Sequence, residues 1–351
     1  MSTPLLSKPS PSGIPTTTSA AEALDRTTRE GWLFEAACRA AAWSSFAFLT
    51  VILGTIFFEA RGALSWKFLT SFDSYDPADA GILAGLWGSF WLILFTGVIS
   101  IPIGIGAAIF LEEYASDTWI VRVIRTNLAN LAGVPSVVYG LLGLAAFVRA
   151  FGLFEKNGTV QRLTGLDVEA ISILGFDIPL PFERSILSGA LTLSLLLLPT
   201  IIVASQEALR AVPPSIRHAS LALGATRWQT ISGQVLPSAL PGIVTGIILA
   251  LSRAIGETAP LIVAGAFTFV PFAPGGIDTP AKALTNPGAV LEVPFDNYTV
   301  IPLQVYSWIE KPQPAFHELA SAGIVVLLSL LLMMSGVAVY IRNRSQKHLK
   351  W

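Results

Sequence analysis

Arg253 and Glu257 stand four residues apart in a stretch, 239–270, that is otherwise apolar enough to lie in a bilayer. A charge near the bilayer centre costs about 2.5–3.5 kcal/mol on insertion scales, so a chain that keeps two has a polar path, a substrate or a partner to serve. Their i, i+4 spacing puts both on one helical face. Arginine offers a planar fork of donors that suits the oxygens of an oxyanion. Glu257, one turn on, neutralises Arg253 when no anion is present, and an incoming anion must displace it. For passage, Glu257 must rotate away or take a proton. Pro260 removes the backbone bond to Gly256 and loosens the helix there. Thr258 is placed to cap the outer half and leave N–H groups free for an anion. The competing reading is a buried ion pair that fixes helix packing against a sister subunit.

The rest of the chain must hold that pair in a membrane. Of 351 residues, 53% are hydrophobic and 13% charged, against about 25% charged in soluble domains. The mean hydropathy of +0.65 agrees. The fold class expected is all-α, a polytopic membrane protein. A single cysteine, Cys38, excludes a disulfide within the chain, and His218, His317 and His348 show no metal-ligand spacing. No metal site, cofactor or nucleic-acid partner is expected; membrane lipid is. Met1 to Ala20 are mostly Ser, Thr and Pro, with no apolar core for a signal peptide, and are expected to stay unpacked.

Six spans are expected, near 40–58, 84–111, 128–148, 186–205, 239–270 and 320–341. The corresponding organisation is a tail over 1–38, a first helix and outer connection over 39–83, a core of five helices over 84–341 and a basic tail over 342–351. Lys and Arg concentrate in the tails and in the second–third and fourth–fifth connections, which puts both termini in the cytoplasm. The outer loops 149–185 and 271–319 carry prolines, aromatics and acids. They either cover the helix ends or fold as small caps, with a short strand pair or an interfacial helix.

The cytoplasmic loop 206–237 reads as two short helices. Pro213 and Pro214 break one helix and start the next, Gly224 ends it, and Thr226 caps a further helix leading to Leu236 and Pro237. Ala219, Gly224 and Ala225 are small enough for close approach to another protein. Trp228 and Ile216 are placed to anchor the loop in a groove. Arg210 and Arg217 either follow the positive-inside bias or touch a partner, and His218 is expected on the surface.

The run from His218 and Ala219 through Gly224 to Leu236–Pro237 resembles the loop motif of ABC importer permeases, Glu-Ala-Ala-x3-Gly-x9-Ile-x-Leu-Pro. His218 stands where that motif has glutamate, and Gln234 where it has isoleucine. Residues 253–260, Arg-Ala-Ile-Gly-Glu-Thr-Ala-Pro, resemble the signature of the phosphate permeases, as do residues 106–114 and 131–141. Residues 186–193 and 302–306 are similar to the PstA branch of that family rather than the sister PstC branch. The resemblance implies a type I importer permease fold in the bacterial inner membrane and a non-catalytic subunit for inorganic phosphate. It implies a PstC-like sister permease, two PstB-like ATPase subunits that bind ATP, and an external PstS-like phosphate-binding protein. It gives the substrate path to Arg253, Glu257 and Thr258, and the ATPase contact to Arg217, His218, Ala219, Gly224, Ala225, Trp228, Leu236 and Pro237. The chain holds no Gly-x4-Gly-Lys-Ser/Thr loop to cradle nucleotide itself. A permease for sulfate or molybdate, and a secondary anion transporter, are the alternatives.

Overall fold

The computed structural model describes residues 17–150, 170–173, 176–179 and 182–346. The chain divides into two units, residues 1–55 and 56–351. The described part of the first unit is continuous helix, most of α1 (Thr17–Ala60). It begins inside the stretch 1–38 read as a tail, because residues 20–42 are rich in alanine, the strongest helix former.

The second unit contains α2 (Trp66–Thr70), α3 (Leu83–Ile109), α4 (Trp119–Leu131) and α5 (Ser136–Gly143). A short antiparallel hairpin follows, β1 (Ala170–Ile173) against β2 (Phe176–Pro179), with Ala170 opposite Pro179. Next come α6 (Ile186–Arg210), α7 (Pro214–Ala222), α8 (Arg227–Thr230), α9 (Leu236–Gly256) and α10 (Ala259–Ala264). The chain then runs through α11 (Pro280–Thr285), α12 (Pro287–Glu292), α13 (Ile301–Ile309) and α14 (Pro314–Gln346). Wider π-type turns prolong α3 over Phe110–Tyr114 and α5 over Leu144–Val148, and join α8 to α9 over Ile231–Val235. The fold is all-α apart from the hairpin, the strand pair allowed for in the loop 149–185.

Phe34–Ala60, Leu83–Tyr114, Ile186–Arg210, Arg227–Gly256 and Pro314–Arg344 are long and apolar enough to cross a membrane. The expected third span, 128–148, is corrected. It is a bent pair, Trp119–Leu131 and Ser136–Val148, meeting at 108° and bringing the spans to six if counted as one. Pro135 disfavours helix at the residue before it. The amides of Gly133 and Val134 instead close α4 by bonding the Asn130 and Leu131 carbonyls at 3.0 and 3.1 Å.

α6 is the central element, packed between α3 and α9. In lipid, close packing rather than water exclusion holds helices together, so small residues mark the contacts. A Cβ on Gly104 of α3 would stand 2.6 Å from Ile201 Cγ2, and one on Gly246 of α9 would stand 2.7 Å from Ala204 Cβ. The buried hydroxyls of Thr96, Ser100, Thr192 and Ser194 each donate to the carbonyl four residues earlier at 2.7 Å, which satisfies them without water.

The stretch 271–319 is built into the bundle. Gln304 of α13 is fully buried, accepts from the Gly85 amide at 3.1 Å and donates to the Gly81 carbonyl at 2.8 Å. Ser89 accepts from the Ile301 amide at 3.1 Å, and Trp308 donates its indole N–H to Asp73 at 2.9 Å. These bonds tie α13 to the start of α3 and to the connection before it.

Candidate functional site

Arg253 lies in the last turn of α9, and Glu257 lies just beyond it. Glu257 leaves helical geometry at φ −81°, ψ 103°, and its amide bonds the Ala254 carbonyl at 3.1 Å, a tightened final turn. The expectation of one apolar helix carrying both charges is therefore corrected: the helix ends between them. Their pairing survives the break, with Arg253 Nε donating to Glu257 Oε1 at 3.3 Å. The Arg253 side chain is 69% exposed and that of Glu257 is 20% exposed. The pair is thus not buried within this chain but lies at its surface, open both to an anion and to the neighbouring subunit of the packing reading.

The helix resumes at Ala259 as α10. Pro260 sits in its first turn, where the missing N–H removes no helical bond. The break consequently falls at Glu257–Thr258, before the proline. Thr258 supplies its carbonyl to the amides of Leu261 and Ile262 at 3.1 and 3.0 Å, but its hydroxyl makes no capping bond. This corrects its expected role as a side-chain cap. Gly265 ends α10 at φ 101°, a left-handed conformation that glycine adopts without strain.

The segment 206–237 occupies the other end of α9. α7 starts at Pro214, and Gly224 follows it at φ 86°. Thr226 and Gln229 form a reciprocal cap on α8 at 3.3 and 2.8 Å. Ser220 and Thr230 hydroxyls meet at 2.9 Å and close α7 onto α8. His218, Ala219, Gly224 and Pro237 are exposed, Ala225 and Leu236 half-buried. Trp228 is 59% exposed and Leu223 90% exposed. Ile216, expected beside Trp228 as an anchor, packs inward against the bundle core. Leu221 and Leu223 are exposed instead, so the projecting tip is Leu221, Leu223 and Trp228.

Arg217 also points inward. It donates to Glu113 at 2.7 Å, to the Val212 carbonyl at 2.7 Å and to the Leu209 carbonyl at 2.9 Å. Its side chain is 22% exposed and that of Glu113 is 11% exposed. Arg210 pairs with Glu112 at 2.9 Å, and Arg227 lies 6.0 Å from the centre of the Tyr114 ring. Glu112 and Glu113 were not singled out as site residues from the sequence. The signal available was two adjacent acids at the end of a span and three arginines, Arg210, Arg217 and Arg227, in the loop 206–237.

A cavity of about 1370 Å³ is an apolar groove lined by Trp87, Phe90, Leu94, Leu251 and Met334. Its one charged lining residue among those described, Asp278, is paired with Lys282 at 2.6 Å, so the lining offers no free cationic donor to an anion. The groove therefore does not compete with Arg253 as an anion site.

Residues 100–347 match the family described as binding-protein-dependent transport system inner membrane component. The chain is 31% identical over 308 residues to the probable ABC transporter permease protein YqgI of Bacillus subtilis (strain 168), covering 86% of this chain and 92% of that one. It is 30% identical over 273 residues to the phosphate transport system permease protein PstA of Yersinia pestis, covering 78% and 76%. Its fold resembles a chain of a bacterial alginate ABC transporter crystallised with an alginate pentasaccharide-bound periplasmic protein. That match has a TM-score of 0.59 and 15% identity, over 91% of this chain and 96% of the other. The chain belongs to the binding-protein-dependent transport system inner membrane component family and is a non-catalytic, membrane-spanning ABC importer permease subunit.

Proposed function

We propose that this chain is the PstA-like permease of an ATP-driven inorganic phosphate importer in the bacterial inner membrane, with both termini in the cytoplasm. One observation carries the reading. The Arg253 side chain is 69% exposed on the flank of a span otherwise fit for lipid. An intramembrane arginine faces a water-filled path or a protein neighbour, not hydrocarbon. A PstC-like sister permease on that flank would enclose Arg253, Glu257 and Thr258 as the substrate path. Family membership removes the secondary-transporter alternative. The similarity to phosphate permeases favours phosphate among oxyanions.

The chemistry of the pair agrees. Arg253 supplies donors for anion oxygens. Glu257, when ionised, only accepts hydrogen bonds. Phosphate near neutral pH carries an O–H that donates a hydrogen bond to such a carboxylate, whereas sulfate and molybdate carry none and meet repulsion alone. At the other end, the tip formed by Leu221, Leu223 and Trp228, with His218, Ala219, Gly224, Ala225, Leu236 and Pro237 around it, would dock in a PstB-like ATPase that binds ATP. A PstS-like phosphate-binding protein would sit on the opposite face.

The test is uptake of labelled phosphate into proteoliposomes holding this chain, its sister permease, the ATPase and the binding protein. The reading expects ATP-dependent uptake blocked by unlabelled phosphate and not by excess sulfate or molybdate. ATP-dependent uptake blocked by sulfate or molybdate would move the cargo to that oxyanion.

A further inference from the structure

Four consecutive residues at the end of α3 are each engaged by an arginine from a different helix. The Leu111 carbonyl accepts from Arg125 of α4, Glu112 pairs with Arg210 of α6, Glu113 pairs with Arg217 of α7, and Tyr114 lies under Arg227 of α8. These residues form the π-type turn that ends α3, where the Ala115 amide reaches back to the Phe110 carbonyl at 2.8 Å. Such turns are rare and are often found at functional sites.

The connectivity makes this arrangement unexpected. α7 and α8 are joined through the chain to α6 and α9, and α3 lies about a hundred residues earlier. A push on the projecting tip would pass along the chain into α6 and α9. The Glu113–Arg217 contact gives it a second route, directly into α3. Arg217 suits that task because one guanidinium holds three elements: Glu113 after α3, the Leu209 carbonyl of α6 and the Val212 carbonyl before α7. Charge-assisted, forked and largely shielded, this is the strong form of the interaction rather than the weak surface form.

We propose that Glu113 and Arg217 form a strut that makes the α7–α8 loop and the end of α3 move as one body, so that ATP-driven displacement of the loop enters α3 directly. Both are positioning residues, acting through α3 rather than on the substrate. The inference rests on the ABC importer reading and does not depend on which anion is carried.

The test follows that independence. Spin labels at exposed Ser215 of α7 and exposed Ile103 of α3, in a Cys38→Ser background, report the loop-to-α3 distance in the complex with its ATPase. With Glu113 present, the distance is expected to stay within about 2 Å with and without ATP, the scale of ordinary helix shifts. Glu113→Gln is expected to let it change by more than that, while Glu113→Asp, which keeps the charge, stays near the parent. Uptake per ATP hydrolysed should fall about tenfold in Glu113→Gln, as loss of a shielded charge-assisted bond implies. The test substitutes the glutamate because Arg217 also caps two carbonyls. A loop-to-α3 distance that changes with ATP in the parent, or a Glu113→Gln protein like the parent in both readouts, would overturn the strut. Loss of the ATPase from the Glu113→Gln complex would also overturn it, by making the pair a docking element. Failure of the phosphate reading would show differently, as absent phosphate uptake in a parent whose distances behave as expected.

Discussion

Gly140 of α5 lies against Pro260 of α10 so closely that a Cβ on Gly140 would stand 2.7 Å from the proline Cα and 2.8 Å from its carbonyl oxygen. The contact sits three residues past the break at Glu257, so α5 holds the short helix that follows the charged pair. Gly140→Ala must push α10 away, at a cost of about 1–3 kcal/mol for overpacking. A lowered melting temperature of the detergent-solubilised protein checks this. Gly256→Ala is the control, because a Cβ there meets nothing within 4 Å. Its stability should stay within about 0.5 kcal/mol of the parent or rise slightly.

Leu223 is 90% exposed next to a glycine in left-handed conformation. A side chain with so few contacts contributes little to folding, so Leu223→Asp should alter stability by less than about 0.5 kcal/mol. If the tip docks in the ATPase, the same change buries a charge in an apolar groove and should weaken binding by at least about 2 kcal/mol, the scale of an interface hot spot. Co-purification of the ATPase with the permease reads this directly. Full retention would place the contact elsewhere.

Asp73 links stability to pH outside the spans. It is 4% exposed, and burial pushes its carboxyl above the ordinary 3.8, against the opposing pull of the Trp308 indole and of Lys311. The folded state thus holds this proton more tightly than the unfolded state. Stability from this group is greatest at low pH and falls as pH rises from 3.8 through the raised value, then levels off. Asp73→Asn keeps an acceptor for Trp308 and removes the titration. The melting temperature of the parent should decline relative to Asp73→Asn as pH rises through that window. A constant difference, or one of opposite sign, would contradict the assignment.

The sequence made local features legible and distant ones not. Pro214, Gly224 and Thr226 each dictate their own backbone, and α7 and α8 start and stop where those residues demand. The i, i+4 pairing of Arg253 with Glu257 was equally local and is present. A loosening of the helix was expected at Pro260, because proline is the visible helix breaker, whereas the helix ends at Gly256 and the chain uses that proline to restart it. Ile216 packs inward instead of standing ready for a groove because which face of α7 is covered depends on α3, remote in sequence. For the same reason Arg217 read as a charge that follows the positive-inside bias or touches a partner. Its partner Glu113 is 104 positions away, and nothing in the spacing joins them.

The central claim is that Arg253 faces the anion. ATP-dependent phosphate uptake by the assembled transporter, measured for Arg253→Gln and Arg253→Lys beside the parent, tests it most directly. The account predicts that Arg253→Gln assembles normally and loses uptake by about tenfold or more, with Arg253→Lys intermediate because it keeps the charge and loses the fork. Uptake at the parent rate in Arg253→Gln would contradict it.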